Sequence, residues 1–212
     1  MNRSCWIILS IVCCGQLPAQ TSIKQYYGIF PHRFRESEAV GSMRDADTLV
    51  DDRNAYLHIR SKPNDCCSEY VTFAFFKTQS GQKIFAYEKG VSTTASDDYQ
   101  TTFHTFANNK WTDVTRKVFP HTFVFADFWR GESLPAKKLQ RFRTRIALPR
   151  RGTDVVVYIV GENLPDRERL FTDTKEAKMY DRMFDTNRSL HKIIYQWNRE
   201  KSVFTRKEKQ KE

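Results

Sequence analysis

The stretch from Tyr70 to Lys89 limits the folds open to this chain. YVTFAFFKT and KIFAYEK flank Gln79-Ser80-Gly81-Gln82, and both arms are packed with aromatic and β-branched residues. Such side chains suit a pleated, half-buried surface, so a Gly-bearing turn between two such arms predicts an antiparallel hairpin. The same grammar recurs along the chain. Ala55–Arg60 alternates Leu57 and Ile59 with Tyr56 and His58. Thr101–Ala107 and Trp111–Thr115 flank Asn108-Asn109-Lys110, where asparagine tolerates the left-handed turn conformation. Arg141–Leu148 pairs with Asp154–Val160 around Pro149-Arg150-Arg151-Gly152, and Lys192–Trp197 pairs with Ser202–Arg206 around Asn198–Lys201. The expectation is a mainly β fold: an antiparallel meander or barrel-like sheet of about eight strands with one or two short helices. Sixteen Phe, nine Tyr and four Trp can fill its core.

Helix signals are few. Met179/Met183 and Tyr180/Phe184 stand four apart, which predicts a short amphipathic helix over about 174–185. Residues 20–53 read as an irregular N-terminal segment with a short helix across 35–50. The β domain spans 54–205, either as one sheet or as two similar halves, 54–120 and 137–205. The tail 206–212 is charged.

The first residues bear on location. Arg3, the apolar run CWIILSIVCC and the breaking GQLP before Ala19 have the layout of a cleavable secretory signal, 1–19. The run is shorter than the roughly 20 apolar residues a spanning helix needs, and no second one follows. An exported protein, periplasmic or extracellular, without a transmembrane segment in its mature chain, is expected. Three of five cysteines fall in that signal, leaving the adjacent Cys66 and Cys67, which cannot build a disulfide framework. They read as a redox candidate or as a plain pair in a loop.

The succession VTFAFFKTQSGQKIFA, TFHTFANNKWTDVTRKVFP, IALPRRGTDVVVY and YQWNREKSVF resembles uncharacterised exported proteins of Bacteroidetes-type bacteria. The resemblance covers residues 55–205. It implies a β domain in which an LPxxGT turn joins two strands and a W-N hairpin comes last. It also implies a bacterial envelope location, and it brings no activity, cofactor or catalytic residue with it.

No motif carries catalysis, metal or cofactor binding. The histidines (His32, His58, His104, His121 and His191) are scattered singly, and GxSxG and a phosphate-cradling loop are both missing. Two features remain. Between Glu132 and Asp154 the chain has no acid but contains Lys137, Lys138, Arg141, Arg143, Arg145, Arg150 and Arg151. On a strand, Arg141, Arg143 and Arg145 would project from one face, about 6.5–7 Å apart, with Phe142, Thr144 and Ile146 opposite. Guanidinium forks in such a ladder suit anionic groups on a polymer. With Lys138, Arg150 and Arg151 they form the candidate anion site; the competing reading is a solvated face that discourages edge aggregation. The second feature is the aromatic run 118–129, where Phe123, Phe125, Phe128 and Trp129 either stack on a glycan or partner, or seal the sheet.

The net charge of +10 fits an acidic partner. Export favours an envelope protein, anionic polysaccharide or lipid over nucleic acid. The expected function is therefore that of an exported, non-enzymatic β-protein binding an envelope partner through a basic and aromatic sheet face. The alternatives are a secreted hydrolase with acids or histidines gathered from separate strands, and a structural subunit of an envelope complex.

Overall fold

The computed structural model describes residues 22–31, 46–61, 67–93, 97–162, 171, 173–185 and 190–207. Among them ten strands form two antiparallel sheets. The first is a meander in chain order: β1 (Asp47–Asp51), β2 (Tyr56–Arg60), β3 (Cys67–Lys77), β4 (Lys83–Thr93), β5 (Asp97–Ala107) and β6 (Lys110–Asp113). The second runs in the order β10 (Val203–Arg206), β9 (Ile193–Asn198), β8 (Asp154–Val160) and β7 (Arg143–Ala147). Three short α-helices, α1 (Ile23–Gly28), α2 (Thr115–Val118) and α3 (Thr174–Asp185), and two 3-10 turns, Phe125–Asp127 and Lys137–Leu139, complete the described elements. No helix among the described residues is long and apolar enough to cross a membrane.

Strand alternation sorts the side chains into two cores. From the six-stranded sheet, Ala74, Phe76, Ile84, Ala86 and Phe103 meet Val155, Val157, Ile159, Ile193, Tyr195 and Trp197 of the four-stranded sheet. The Trp197 indole donates to the carbonyl of Lys77 at 2.8 Å, so its one polar atom is satisfied inside this layer. On the other face of the large sheet, Leu57, Ile59, Val71, Phe73, Phe85 and Tyr87 are covered by Ile23, Tyr27 and Phe30. Those three come from α1 and the turn behind it. A capping box fixes the helix start: Ser22 Oγ accepts from the Gln25 amide, and Gln25 Oε1 accepts from the Ser22 amide.

The hairpins and the 174–185 helix stand where the sequence places them. Both Asn108 (φ 50°) and Asn109 (φ 58°) adopt the left-handed turn conformation, which matches the twist of a two-residue hairpin. One expectation is corrected. The segment 20–53 contains α1 and β1, and residues 47–50, read as the end of a helix, are strand; the rest of that helix lies outside the described residues, apart from Ala46. The mainly β fold is as expected, with ten strands among the described residues; β1 is the strand that the sequence does not mark, because it is an edge strand exposed at four of its five positions and carries no apolar alternation.

Candidate functional site: a basic and aromatic corner

Register builds the site. Paired residues of an antiparallel sheet share a face. His58, Thr72, Glu88 and Thr101 therefore form one row across β2–β5, and Arg60, Tyr70, Gly90 and Tyr99 form the next. These rows extend the face that carries Ala74, Ala86 and Phe103 into the inter-sheet core. Strand β7 reaches this face edge-on. The Thr101 hydroxyl donates to the Ile146 carbonyl at 3.2 Å, and the Leu148 amide donates to Glu88 Oε2 at 3.2 Å.

Glu88 is the centre of the corner, 2% exposed. Its Oε1 accepts from the Tyr70 hydroxyl at 2.6 Å and from Arg145 Nε at 3.0 Å. A buried carboxylate survives only when such donors replace its water. Burial, and then the Glu88 charge, raise the Tyr70 hydroxyl above the ordinary tyrosine range. The Arg145 guanidinium carbon lies 5.0 Å and 5.2 Å from the ring centres of Tyr70 and Tyr99, within cation–π range of both. Gly90 makes this possible: a Cβ there would stand 2.1 Å from Tyr70 Cε1, so only glycine lets the ring lie across β4. Beside the carboxylate, His58 Nδ1 is 2.9 Å from Thr72 Oγ1. Burial lowers the His58 pKa and the Arg60 and Arg145 charges add to this, while Glu88 opposes them.

The expected arginine ladder is met in part. Arg143 and Arg145 pair with Val160 and Tyr158, on the face of β7 opposite Thr144 and Ile146. Arg141 precedes the strand, exposed, while its carbonyl accepts from Tyr180. Phe142 also lies before β7 and packs on Phe125 and Phe128. Several cations have protein partners: Arg143 with Asp98 at 3.5 Å, Arg145 with Glu88, Arg150 with Asp51 at 2.9 Å and Lys138 with Glu176 at 2.5 Å. Hydrogen bonds from Asn54, and then from Arg150, hold Asp51 down at about 2. Arg151 is exposed, and neither it nor Arg141 has a carboxylate partner among the described residues.

The aromatic run belongs to the core. Phe125 and Phe128 are buried, and Phe123 and Trp129 pack against the same cluster. Trp129 donates its indole N–H to the Ser133 carbonyl at 2.8 Å. Cys66 lies outside the described residues, as does the side chain of Cys67, which opens β3. His32 also lies outside them. Among the described residues no three His, Cys, Asp or Glu side chains gather as a metal site would require.

Glu88, Tyr70, Tyr99 and Gly90 escaped the sequence reading. One signal was available: Glu88 and Gly90 fall on the alternation phase of Ile84 and Ala86, where an apolar residue is expected.

A recess of about 550 Å³ lies away from this corner, where β5, β6 and α2 meet, lined by Thr102, Asp113, Val114, Thr115, Arg116 and Lys117. Buried His104 reaches Thr102 Oγ1 at 2.9 Å beside it. Burial works to raise the Asp113 pKa, but hydrogen bonds from Thr115 bring it down overall.

No protein-family model matches the chain, and no curated protein matches it. Among solved structures the chain is similar to a domain of an uncharacterized protein from Porphyromonas gingivalis W83, a Bacteroidetes bacterium, with a TM-score of 0.56 and 13% identity. The match covers 87% of this chain and 97% of that one, so the two share a fold over nearly their whole length.

Proposed function

We propose that this chain is an exported, non-enzymatic β-protein that binds an anionic envelope partner through the corner where β7 meets the large sheet. One observation carries the reading. Arg145 is fixed by Glu88 and two tyrosine rings, yet its Nη1 and Nη2 donate no hydrogen bond to a described residue. A guanidinium held in place before its ligand arrives loses little entropy on binding. Arg143 follows on the same face of β7, and Arg60 ends β2 in the row that holds Tyr70. The non-catalytic part of the reading rests on Glu88, whose two oxygens already accept from three donors and so are poorly placed to take a proton from a substrate.

The test is retention on an immobilised anionic polysaccharide across a salt gradient. The wild-type chain should be retained at low salt and elute as salt rises. Arg143→Ala with Arg145→Met should elute earlier, whereas Arg116→Ala, on α2, should elute with the wild type. A folded Arg143→Ala/Arg145→Met variant that elutes with the wild type would overturn the proposal.

A further inference from the structure

We infer that the group read at this corner is a planar carboxylate, of the kind carried by the uronic acid units of an acidic polysaccharide, rather than a tetrahedral sulfate or phosphate. The inference rests on the binding role proposed above and assigns its ligand.

The geometry is that of a slot. Tyr70 and Tyr99 stand in register on either side of Gly90, and the Arg145 guanidinium carbon lies 5.0 Å and 5.2 Å from their ring centres. Its Nε is committed to Glu88, which leaves the end-on edge formed by Nη1 and Nη2. An anion that reaches this edge has the two tyrosine rings beside it. A carboxylate is flat and presents both oxygens in one plane, so two parallel N–H···O bonds form without disturbing the rings. Sulfate and phosphate carry further oxygens that this fork cannot serve, and beside two tyrosine rings those oxygens lose hydration without gaining donors.

Charge balance points the same way. Glu88 already neutralises Arg145, and Asp98 stands beside Arg143. The corner is therefore not a strong positive field that would favour the most densely charged polymer, and selection falls to shape and hydrogen bonding.

The neighbouring surface favours a saccharide over an acidic peptide. Tyr158 pairs with Arg145 across β7–β8, and Lys192 Nζ lies 4.8 Å from the Tyr158 ring centre. An aromatic ring followed by a second cation, next to the carboxylate slot, suits a sugar ring carrying the next acid group.

Competition on a polygalacturonate-coated surface tests this with the full mature chain. Galacturonate oligomers should displace the protein at about tenfold lower charge-matched concentration than heparin, a sulfated polymer, or polyphosphate. Tyr99→Leu, which opens one side of the slot and loosens Arg145, should shrink that gap to roughly threefold and weaken retention on the coated surface. Equal or better displacement by heparin or polyphosphate overturns the carboxylate assignment but leaves the anion-binding role standing. Displacement by poly-glutamate as strong as by galacturonate overturns the saccharide assignment. No retention on any of these polymers overturns the binding role itself. The wild-type competition decides each of these outcomes even if Tyr99→Leu fails to fold.

Discussion

Arg145 and Glu88 lie 57 positions apart, and their 3.0 Å contact ties the edge of the small sheet to the middle of the large one. The carboxylate is buried and the guanidinium keeps about a third of its side-chain surface, 35%. Breaking a fully buried pair costs about 3–5 kcal/mol, and the exposure of Arg145 reduces that. Glu88→Gln should therefore destabilise the chain by roughly 2 kcal/mol in urea unfolding. Combined with Arg145→Met it should cost clearly less than the two single changes added together, because neither partner is then left with an uncompensated charge. Additive single changes would show that the contact carries no coupling.

Gly90 should tolerate no side chain. An alanine Cβ would occupy the place of the Tyr70 ring edge, 2.1 Å away, and would drive the ring from both Glu88 and Arg145. Gly90→Ala should cost about 1–3 kcal/mol, and Tyr70→Ala in the same chain should recover part of that by vacating the space. Unfolding midpoints of the two single variants and the double variant give the answer. A Gly90→Ala chain as stable as the wild type would mean that Tyr70 does not cross β4.

The aromatic run divides into core and surface residues, and two substitutions separate them. Phe128 is fully buried among Phe123, Phe142 and the inter-sheet cluster, so Phe128→Ala should cost about 3–5 kcal/mol. Val124, four residues earlier and 60% exposed, should accept serine within about 0.5 kcal/mol. Thermal unfolding of both variants checks the division. A mild Phe128→Ala effect would put that ring at the surface, where the glycan-stacking reading of 118–129 needs it.

How far the sequence reached depended on whether a feature was local. Strands such as Asp154–Val160, with Val155, Val157 and Ile159 inward, carry their own alternation and need no partner to be recognised. The Asn108-Asn109 turn and the Tyr180/Phe184 helix stripe are local in the same way. The site is not local. Arg145 stood out as one of several cations, but its fate depends on Glu88, Tyr70 and Tyr99, whose nearness is set by register over four strands. The ladder reading gave Arg141, Arg143 and Arg145 equal standing because they alternate; packing instead places Arg141 before the strand, Arg143 beside a surface carboxylate and Arg145 in a slot. Strand β1 went unnoticed for the opposite reason, since an edge exposed on both faces writes no pattern.

His58 gives the corner a pH signature of known sign. Its folded pKa lies below the ordinary 6.5, because burial, with smaller contributions from Arg60 and Arg145, disfavours the imidazolium more than Glu88 favours it. The unfolded chain therefore takes up this proton at a higher pH than the folded one. Stability from this residue is complete above about pH 6.5 and falls as pH drops toward the folded value. His58→Gln keeps a hydrogen-bonding partner for Thr72 and removes the titration. The loss of stability between about pH 7 and pH 5 should consequently be smaller in the variant than in the wild type, and the two curves should run parallel above pH 7. Urea midpoints across that range measure the difference directly. Curves that stay parallel throughout would place the imidazole in solvent, outside the row it shares with Thr72 and Glu88.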